Sequence, residues 1–576
     1  MQRLGNKVLG LLCLAALFVG CNQEAGQQAS INEPKTVVYF NGDIITVDPN
    51  QVEAEAVAVK NARIFKVGST ESVLAEVGNN VILQDLHGQT LLPGFIDAHG
   101  HISFTSNVLA SVNLSSPPVG EAKNIDDIIR LLKEGRERFP DAAWLTGWGY
   151  DDSLLAERRH PNREDLDQVS TDLPIMLIHV SGHLNACNSK CLELAGITAD
   201  SIDPSGGVIR RFAGTTEPDG VLEESAGHVV RRVMPEATDE QRLHLLEQTQ
   251  QYYASYGITT IQDGATNVKE AALLQRLDSE GKLYLDIVGY LFRQIPDFPF
   301  EALTGEGQHK EPRSGHYRYG GLKLMLDGSP QGKTAYLTRP YFHPPHGQPA
   351  DYKGYPALPN EQVNTYVDEA FAKGIAVIAH ANGDAAADQL IAAVKRANVK
   401  YGKADRRTVM IHAQTAREDQ LDQMKEEGIV PSFFSAHTFY WGDWHRDSVF
   451  GIERASRISP LKTTADRNMP YTTHNDTPVV PPDMMRLLWA NVNRITRSGK
   501  VLGEAQRVSP LEGLKSMTIN AAYQNFEEND KGSIQVGKLA DFVILNKNPL
   551  KVDPLTIKDI QVMETIKDGI SVYRNQ

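Results

Sequence analysis

The sequence predicts an α/β chain built on a parallel barrel with a small β-unit beside it. Three observations carry that prediction. Through the middle of the chain, periodic helical segments alternate with short apolar strands, among them Ile175-Met176-Leu177-Ile178, Leu322 to Leu326, Ile375 to Ile378 and Val409-Met410-Ile411. Sustained strand–helix alternation is the pattern of a parallel sheet with crossover helices. Both ends of the chain read instead as alternating β-structure. The length, 576 residues, accommodates two to four domains or one large barrel with attachments.

Taken in order, the first residues do not belong to that fold. Met1 to Lys7 carries Arg3 and Lys7, and Val8 to Gly20 is an unbroken apolar run without charge. Such a run suits an export signal and is too short to span a bilayer. It ends Leu17-Phe18-Val19-Gly20-Cys21, which resembles the lipobox of bacterial lipoproteins, with Phe18 standing where Leu is usual. Residues 1–20 are therefore expected to be a lipoprotein signal peptide, Cys21 the lipidated N-terminus and 21–33 a polar tether. The implied location is the cell envelope, attached to membrane by lipid alone. In a Gram-negative host, Asn22 points to the periplasmic side of the outer membrane. A plain secretory signal with an incidental cysteine is the alternative.

Residues 34–92 read as a β-unit. Thr36 to Phe40 and Asp43 to Val47 flank Asn41-Gly42, a hairpin signal, and Ala56 to Lys60 and Arg63 to Val67 flank Asn61-Ala62. Ile534, Ala540 to Leu545 and Val562 to Tyr573 have the same character near the C-terminus. Cys187 and Cys191 lie four apart in Asn185 to Ala195, which reads as a helix, where that spacing disfavours a disulfide. They read as small buried apolar residues. The net charge of −14 and isoelectric point near 5.7 argue against a nucleic-acid surface. Four cysteines in the whole chain exclude a disulfide scaffold.

The chemistry sits at the ends of strands. Leu91-Leu92-Pro93-Gly94-Phe95-Ile96-Asp97-Ala98-His99-Gly100-His101 places two histidines two apart just after an apolar strand, so both imidazoles can face one metal. Ile378-Ala379-His380 and Met410-Ile411-His412 each close a short apolar strand with one histidine. Lys323 lies inside the apolar strand Gly321 to Gly328, where an inward ammonium is costly unless paired or neutralised. Carbamylation would convert it to an anionic bridging ligand. Asp476 follows Tyr471-Thr472-Thr473-His474-Asn475.

The ordered set His99, His101, Lys323, His380, His412 and Asp476 resembles the metal site of the amidohydrolase superfamily, and more narrowly that of amidohydrolase family 3, which includes N-substituted formamide deformylases. Ser181-Gly182-His183, Tyr256-Gly257-Ile258-Thr259-Thr260, Lys323-x-x-x-Asp327-Gly328-Ser329, His380-x-x-Gly383-Asp384 and Val536-Gly537-Lys538-Leu539-Ala540-Asp541 extend the likeness over nearly the whole chain. The resemblance implies a distorted (β/α)8 barrel over 93–529, a β-sandwich composed of 34–92 and 530–576, and an α/β insertion at about 115–250 after the first barrel strand. It also implies two divalent ions, with zinc expected. His99, His101 and Asp476 would hold one, His380 and His412 the other, and carbamylated Lys323 would bridge them. A metal lowers the pKa of water from 15.7 to roughly 7 and polarises a carbonyl. Asp476 would take the proton from that water and return it to the leaving amine.

The expected activity is hydrolysis of a non-peptide C–N bond, amide or formamide in kind, on a small-molecule substrate, with His183 and His437 as substrate contacts. A superfamily deaminase is the nearest rival. It is disfavoured because Gly383 stands where those enzymes carry Glu after the strand-five histidine, and because Lys323 is present. A non-catalytic lipoprotein, pseudoenzyme or binding module, is the other alternative, and it sits poorly with six intact ligands. Gly328 to Thr334 looks like a phosphate loop but has three residues between its glycines where four are needed. A homo-oligomer is compatible with the sequence, which fixes neither the oligomeric state nor the substrate.

Overall fold

The computed structural model describes residues 36–575, except 79, 205–206, 236, 296–297, 299–313 and 346. The expected signal peptide (1–20), Cys21 and the tether (21–33) lie outside the described residues. No helix among the described residues is long and apolar enough to cross a membrane.

Eight parallel strands form a nearly closed barrel in chain order: β1 (Phe95–Asp97), β2 (Ile258–Thr266), β3 (Asp286–Phe292), β4 (Tyr317–Met325), β5 (Val377–Ala381), β6 (Thr408–His412), β7 (Ile429–Phe433) and β8 (Thr472–Thr473). Strands of this kind are covered on both faces, so they read as continuous apolar runs rather than alternating ones. The crossovers are helices with legible ends. α1 (Val268–Ser279) starts at Asn267, whose side chain accepts from Glu270 N while Glu270 reaches back to Asn267 N. α2 (Asn360–Ala372) links β4 to β5 and α3 (Asp384–Tyr401) links β5 to β6. α4 (Glu418–Glu427) stops at Gly428, whose φ of 74° turns the chain into β7.

The seam lies between β1 and β8, which do not pair with each other in the sheet. One side chain spans it: Gln524 accepts from Thr472 Oγ1 at 2.7 Å and donates to the Ala98 carbonyl at 2.7 Å. Above it, Asp476 N donates to His99 O at 3.2 Å and His101 N to Thr477 O at 2.8 Å. The segments carrying the predicted acid and the His-x-His pair are thus sewn together by backbone.

Strands from both chain ends share one antiparallel-rich sheet, running from Ile570–Arg574 through Val562–Lys567, Phe542–Leu545 and Thr90–Pro93 to Thr36–Asp48, Gln51–Lys60 and Arg63–Gly68. The expected hairpin at Asn41-Gly42 is absent. Thr36–Asp48 is a single strand whose two halves both pair with Gln51–Lys60 across a register shift between Phe40 and Ile44. Asn41 takes a positive φ of 57°, and the freed backbone groups bond to the 86–89 turn. Asn-Gly supplies a bulge here rather than a reversal. Buried charges tie this sheet to the barrel floor: Lys531 bonds to Asp286 of β3, and Lys567 lies 3.1 Å from Asp541 and 3.4 Å from Asp286.

Between β1 and β2 the chain builds a six-stranded sheet from Val112–Asn113 to Pro218–Glu224. Ile175–His179 belongs to this sheet and not to the barrel, since its neighbours are Leu145–Tyr150 and Leu184–Cys187. A four-residue apolar run does not disclose which sheet it joins. The Asn185 to Ala195 segment is likewise split: Leu184–Cys187 is a strand, Asn188 caps the helix Ser189–Leu194, and Cys187 and Cys191 are joined as a disulfide. The sequence argument against that bond assumed both cysteines on one helix. With Cys187 on the strand, the Cα atoms come to 5.5 Å, within normal disulfide reach.

Candidate metal centre

Five of the barrel strands deliver the predicted residues at their C-terminal ends, the face where such barrels carry chemistry. His99 and His101 follow β1, Lys323 lies in β4, His380 in β5, His412 closes β6 and Asp476 follows β8. All six meet in one place. Asp476 Oδ1 stands 3.2 Å from His101 Nε2 and 3.6 Å from His99 Nε2, and its Oδ2 stands 4.0 Å from His412 Nε2. Lys323 Nζ is 3.0 Å from His99 Nε2, and His412 Nε2 is 3.1 Å from His380 Nδ1.

The outer nitrogens decide what the inner ones present. His99 Nδ1 lies 2.6 Å from Gln262 Oε1 of β2. As an amide oxygen only accepts, the proton belongs on Nδ1 and the lone pair of Nε2 faces the site. His380 Nε2 lies 3.1 Å from the Gly328 carbonyl and 3.0 Å from the Asn382 side-chain amide nitrogen, so either ring nitrogen can carry its proton. His412 Nδ1 meets His474 Nε2 at 3.1 Å, and His474 Nδ1 meets Ser432 Oγ at 2.9 Å. His380 Nδ1 and His412 Nε2 face each other at 3.1 Å inside the site. Asp476 Oδ1 is buried without a hydrogen-bond donor in acceptable geometry. Converging imidazole nitrogens, an ionised carboxylate and a neutralisable lysine form a donor set for divalent cations of the zinc type, and the residues fit that group.

Electrostatics agree. Burial lowers His380 to about 3 and His99 and His412 well below the usual imidazole range, with the charge of Lys323 adding to it for His99 and His380. All three rings are held neutral. Burial pushes Asp476 up, but its contact with His101 and the field of His412, His101 and His99 outweigh this and hold it well below normal. Lys323 falls to about 8 through burial, against the pull of Asp476. His412 (φ 72°) and Asp476 (φ 56°) both occupy the left-handed region, uncommon for such residues and often found at active sites. Gly264 in β2 makes room: a Cβ there would fall 2.2 Å from His99 Cε1.

Above the cluster lies a cavity of about 740 Å³, walled by the barrel loops and the insertion. His183 and His437, the predicted substrate contacts, both line it. His183 Nδ1 bonds to Glu224 Oε2 at 2.9 Å; burial lowers its pKa, but Glu224 outweighs burial and leaves it raised. His437 is stacked on His445, with 2.9 Å between their nitrogens, and its ring packs against Phe434 and Trp441.

Sequence reasoning did not single out Gln262 of β2 and Ser432 of β7, and it noted His474 only as a departure from relatives beside Asp476. Asp327 carries no ligand role, yet its oxygens accept from the backbone N–H groups of Asn382, Gly383 and Tyr336 at 2.8–2.9 Å and shape the loop after β5. A second cluster, Asp151, Asp152 and His179, sits in the insertion. There Ser181 N donates to His179 Nδ1 at 3.2 Å, so His179 Nε2 carries the proton it gives to Asp152 at 3.1 Å, while Trp441 and Ser153 occupy Asp151. This cluster is a closed hydrogen-bond network.

Comparison with known proteins places this geometry. The model of the amidohydrolase family matches residues 83–573. The N-substituted formamide deformylase of Arthrobacter pascens is 27% identical over 556 residues, 94% of this chain and 99% of that protein. An uncharacterized metal-dependent hydrolase from Pyrococcus furiosus superposes with a TM-score of 0.69 at 26% identity, over 90% of this chain and 100% of its own. A second, from Pyrococcus horikoshii OT3, superposes at 0.71 with 24% identity, over 90% and 99%.

Proposed function

The chain belongs to the amidohydrolase family of metal-dependent hydrolases, and on that premise we propose that it hydrolyses a non-peptide C–N bond, amide or formamide in kind, in a small molecule. The observation that carries this reading is the convergence of four imidazoles, one lysine and one carboxylate at the mouth of the barrel, beneath a cavity sized for a small molecule. Its similarity to a formamide deformylase supports the bond type.

In this reading His99, His101 and Asp476 hold one divalent ion, His380 and His412 a second, and Lys323, carbamylated, lies between them; zinc is the ion proposed. Bound divalent metal supplies Lewis acidity, which brings the pKa of water from 15.7 to about 7 and polarises a carbonyl. Lys323, drawn down to about 8, keeps an appreciable fraction of free amine near neutrality, the form that takes up carbon dioxide. Asp476 is ionised and borders His99, His101 and His412. It is placed to accept the proton of the attacking water and return it to the departing nitrogen. His183 and His437 contact the substrate from the walls.

The test is a screen of the metal-loaded protein against N-substituted formamides, N-acyl amines and N-acyl amino acids. Turnover of at least one class, abolished by chelation and restored by metal, is the expected result. A fully loaded protein inert to all three would overturn the reading.

A further inference from the structure

The insertion wall carries a charge that the metal centre does not use. Arg231 is the last residue of the helix Ser225–Arg231 and lines the cavity. Among the described residues its side chain makes one hydrogen bond, a long one of 3.4 Å from Nη2 to Asn185 Oδ1, leaving most of its five N–H donors unengaged there. No carboxylate among the described residues forms an ion pair with it.

The acids lining the same cavity are already committed. Glu224 is bound to His183 at 2.9 Å. Asp263 accepts from Ser103 Oγ at 2.8 Å and Thr266 Oγ1 at 2.9 Å. Glu270 accepts from Asn267 N at 3.0 Å, and burial beside Asp263 lifts its pKa to about 7. Asp476 belongs to the metal centre. Arg231 is therefore a full charge of the cavity wall without an ion-pair partner among the described residues.

Arg231 shares the cavity wall with His183 and Glu224, on the helix that follows Glu224. Glu224, between Pro218–Glu224 and the Arg231 helix, has φ 49° and ψ −119° and is tied to His183 through both its side chain and a 2.9 Å bond from its N–H. A backbone held in so sparsely populated a conformation points to a wall whose side chains are set in place.

We propose that Arg231 binds a carboxylate on the substrate, so that the preferred substrates are N-acyl or N-formyl compounds bearing an acid group. The guanidinium offers the forked donors that a carboxylate matches, and it lines the cavity without a counter-ion among the described residues. The inference rests on the amide-hydrolase reading above and narrows it from neutral formamides to anionic amides.

The test compares molecules differing only in the carboxylate, such as N-formylphenylalanine and N-formylphenethylamine, on the metal-loaded protein. The wild type should favour the acid in kcat/KM by about tenfold or more, the order of a charged hydrogen bond, with the difference carried mainly by KM. In R231Q that ratio should collapse towards one, and R231K should recover part of it. Equal handling of the two by the wild type, or a ratio unchanged in R231Q, would overturn the proposal. If neither compound is cleaved, the hydrolase reading fails by itself. Calorimetric titration of the same two compounds then still decides whether Arg231 selects the acid: tighter binding of the acid, lost in R231Q, supports the proposal, and equal binding overturns it.

Discussion

At the scale of single residues, Asp476 and His474 carry separable duties. Asp476 borders three imidazoles and is ionised, so Asp476→Asn should retain the fold and most bound metal. It should lose about 10²–10⁴-fold in kcat, the usual worth of positioned proton transfer. Near-normal turnover, measured at matched metal content, would show that another group moves the proton. His474 touches no substrate. It orients His412 from 3.1 Å and is itself held by Ser432. His474→Phe should weaken metal affinity about 10–100-fold, as loss of a ligand's outer partner does, and a chelator-competition titration reads this directly. The histidines and Lys323 were legible because they follow or close an apolar strand or break one with a charge, and Asp476 through the family resemblance of the ordered set. The outer ones were not, because Gln262 and Ser432 look like ordinary polar interruptions until the strand order puts them behind a histidine.

At the scale of elements, the ends of the barrel matter more than its middle. The β1–β8 seam is bridged by Gln524 and by the backbone bonds joining the His99 and Asp476 segments. Gln524→Leu would strand the Thr472 hydroxyl and the Ala98 carbonyl in a buried place. A loss of about 1–3 kcal/mol is expected from such unmade bonds, together with weaker metal retention. Urea denaturation checks the first part, and an unchanged midpoint would mean the seam is held without Gln524. Element reading from sequence succeeded for the strand–helix alternation, which the eight barrel strands and their crossover helices follow. It failed where one local signal admits two structures. Asn41-Gly42 satisfies a hairpin and a bulge equally well, and only the long partner Gln51–Lys60 selects the bulge. Ile175 to Ile178 fits any buried strand, and sheet membership is a long-range property.

At the scale of the whole molecule, burial of imidazole sets the response to acid. His160, His380, His445 and His474 are lowered to about 3, and His99, His412 and His437 well below normal, in each case chiefly by desolvation. Unfolding returns each to roughly 6.5, where it binds a proton. The unfolded state therefore takes up more protons than the folded one below that pH, and stability falls as pH falls from about 6.5 towards 3. Burial raises seven acids, which work the other way, but only Asp97, Glu270 and Asp327 are moved far, whereas Asp219, Asp263, Asp483 and Asp541 are raised less. The metal-free protein should thus have a lower denaturant midpoint at pH 5.5 than at pH 7.5; a flat profile would mean these rings are protonated or solvated in the fold.

The central claim is that one cluster of six side chains holds two divalent ions. Elemental analysis of the purified chain, after reconstitution with zinc and removal of loose metal, tests it most directly. Two ions per chain are predicted, falling to one or fewer when Lys323 is replaced by Ala and partly recovering with added short carboxylates. Less than one ion per chain in the unaltered protein, or full occupancy without Lys323, would contradict it.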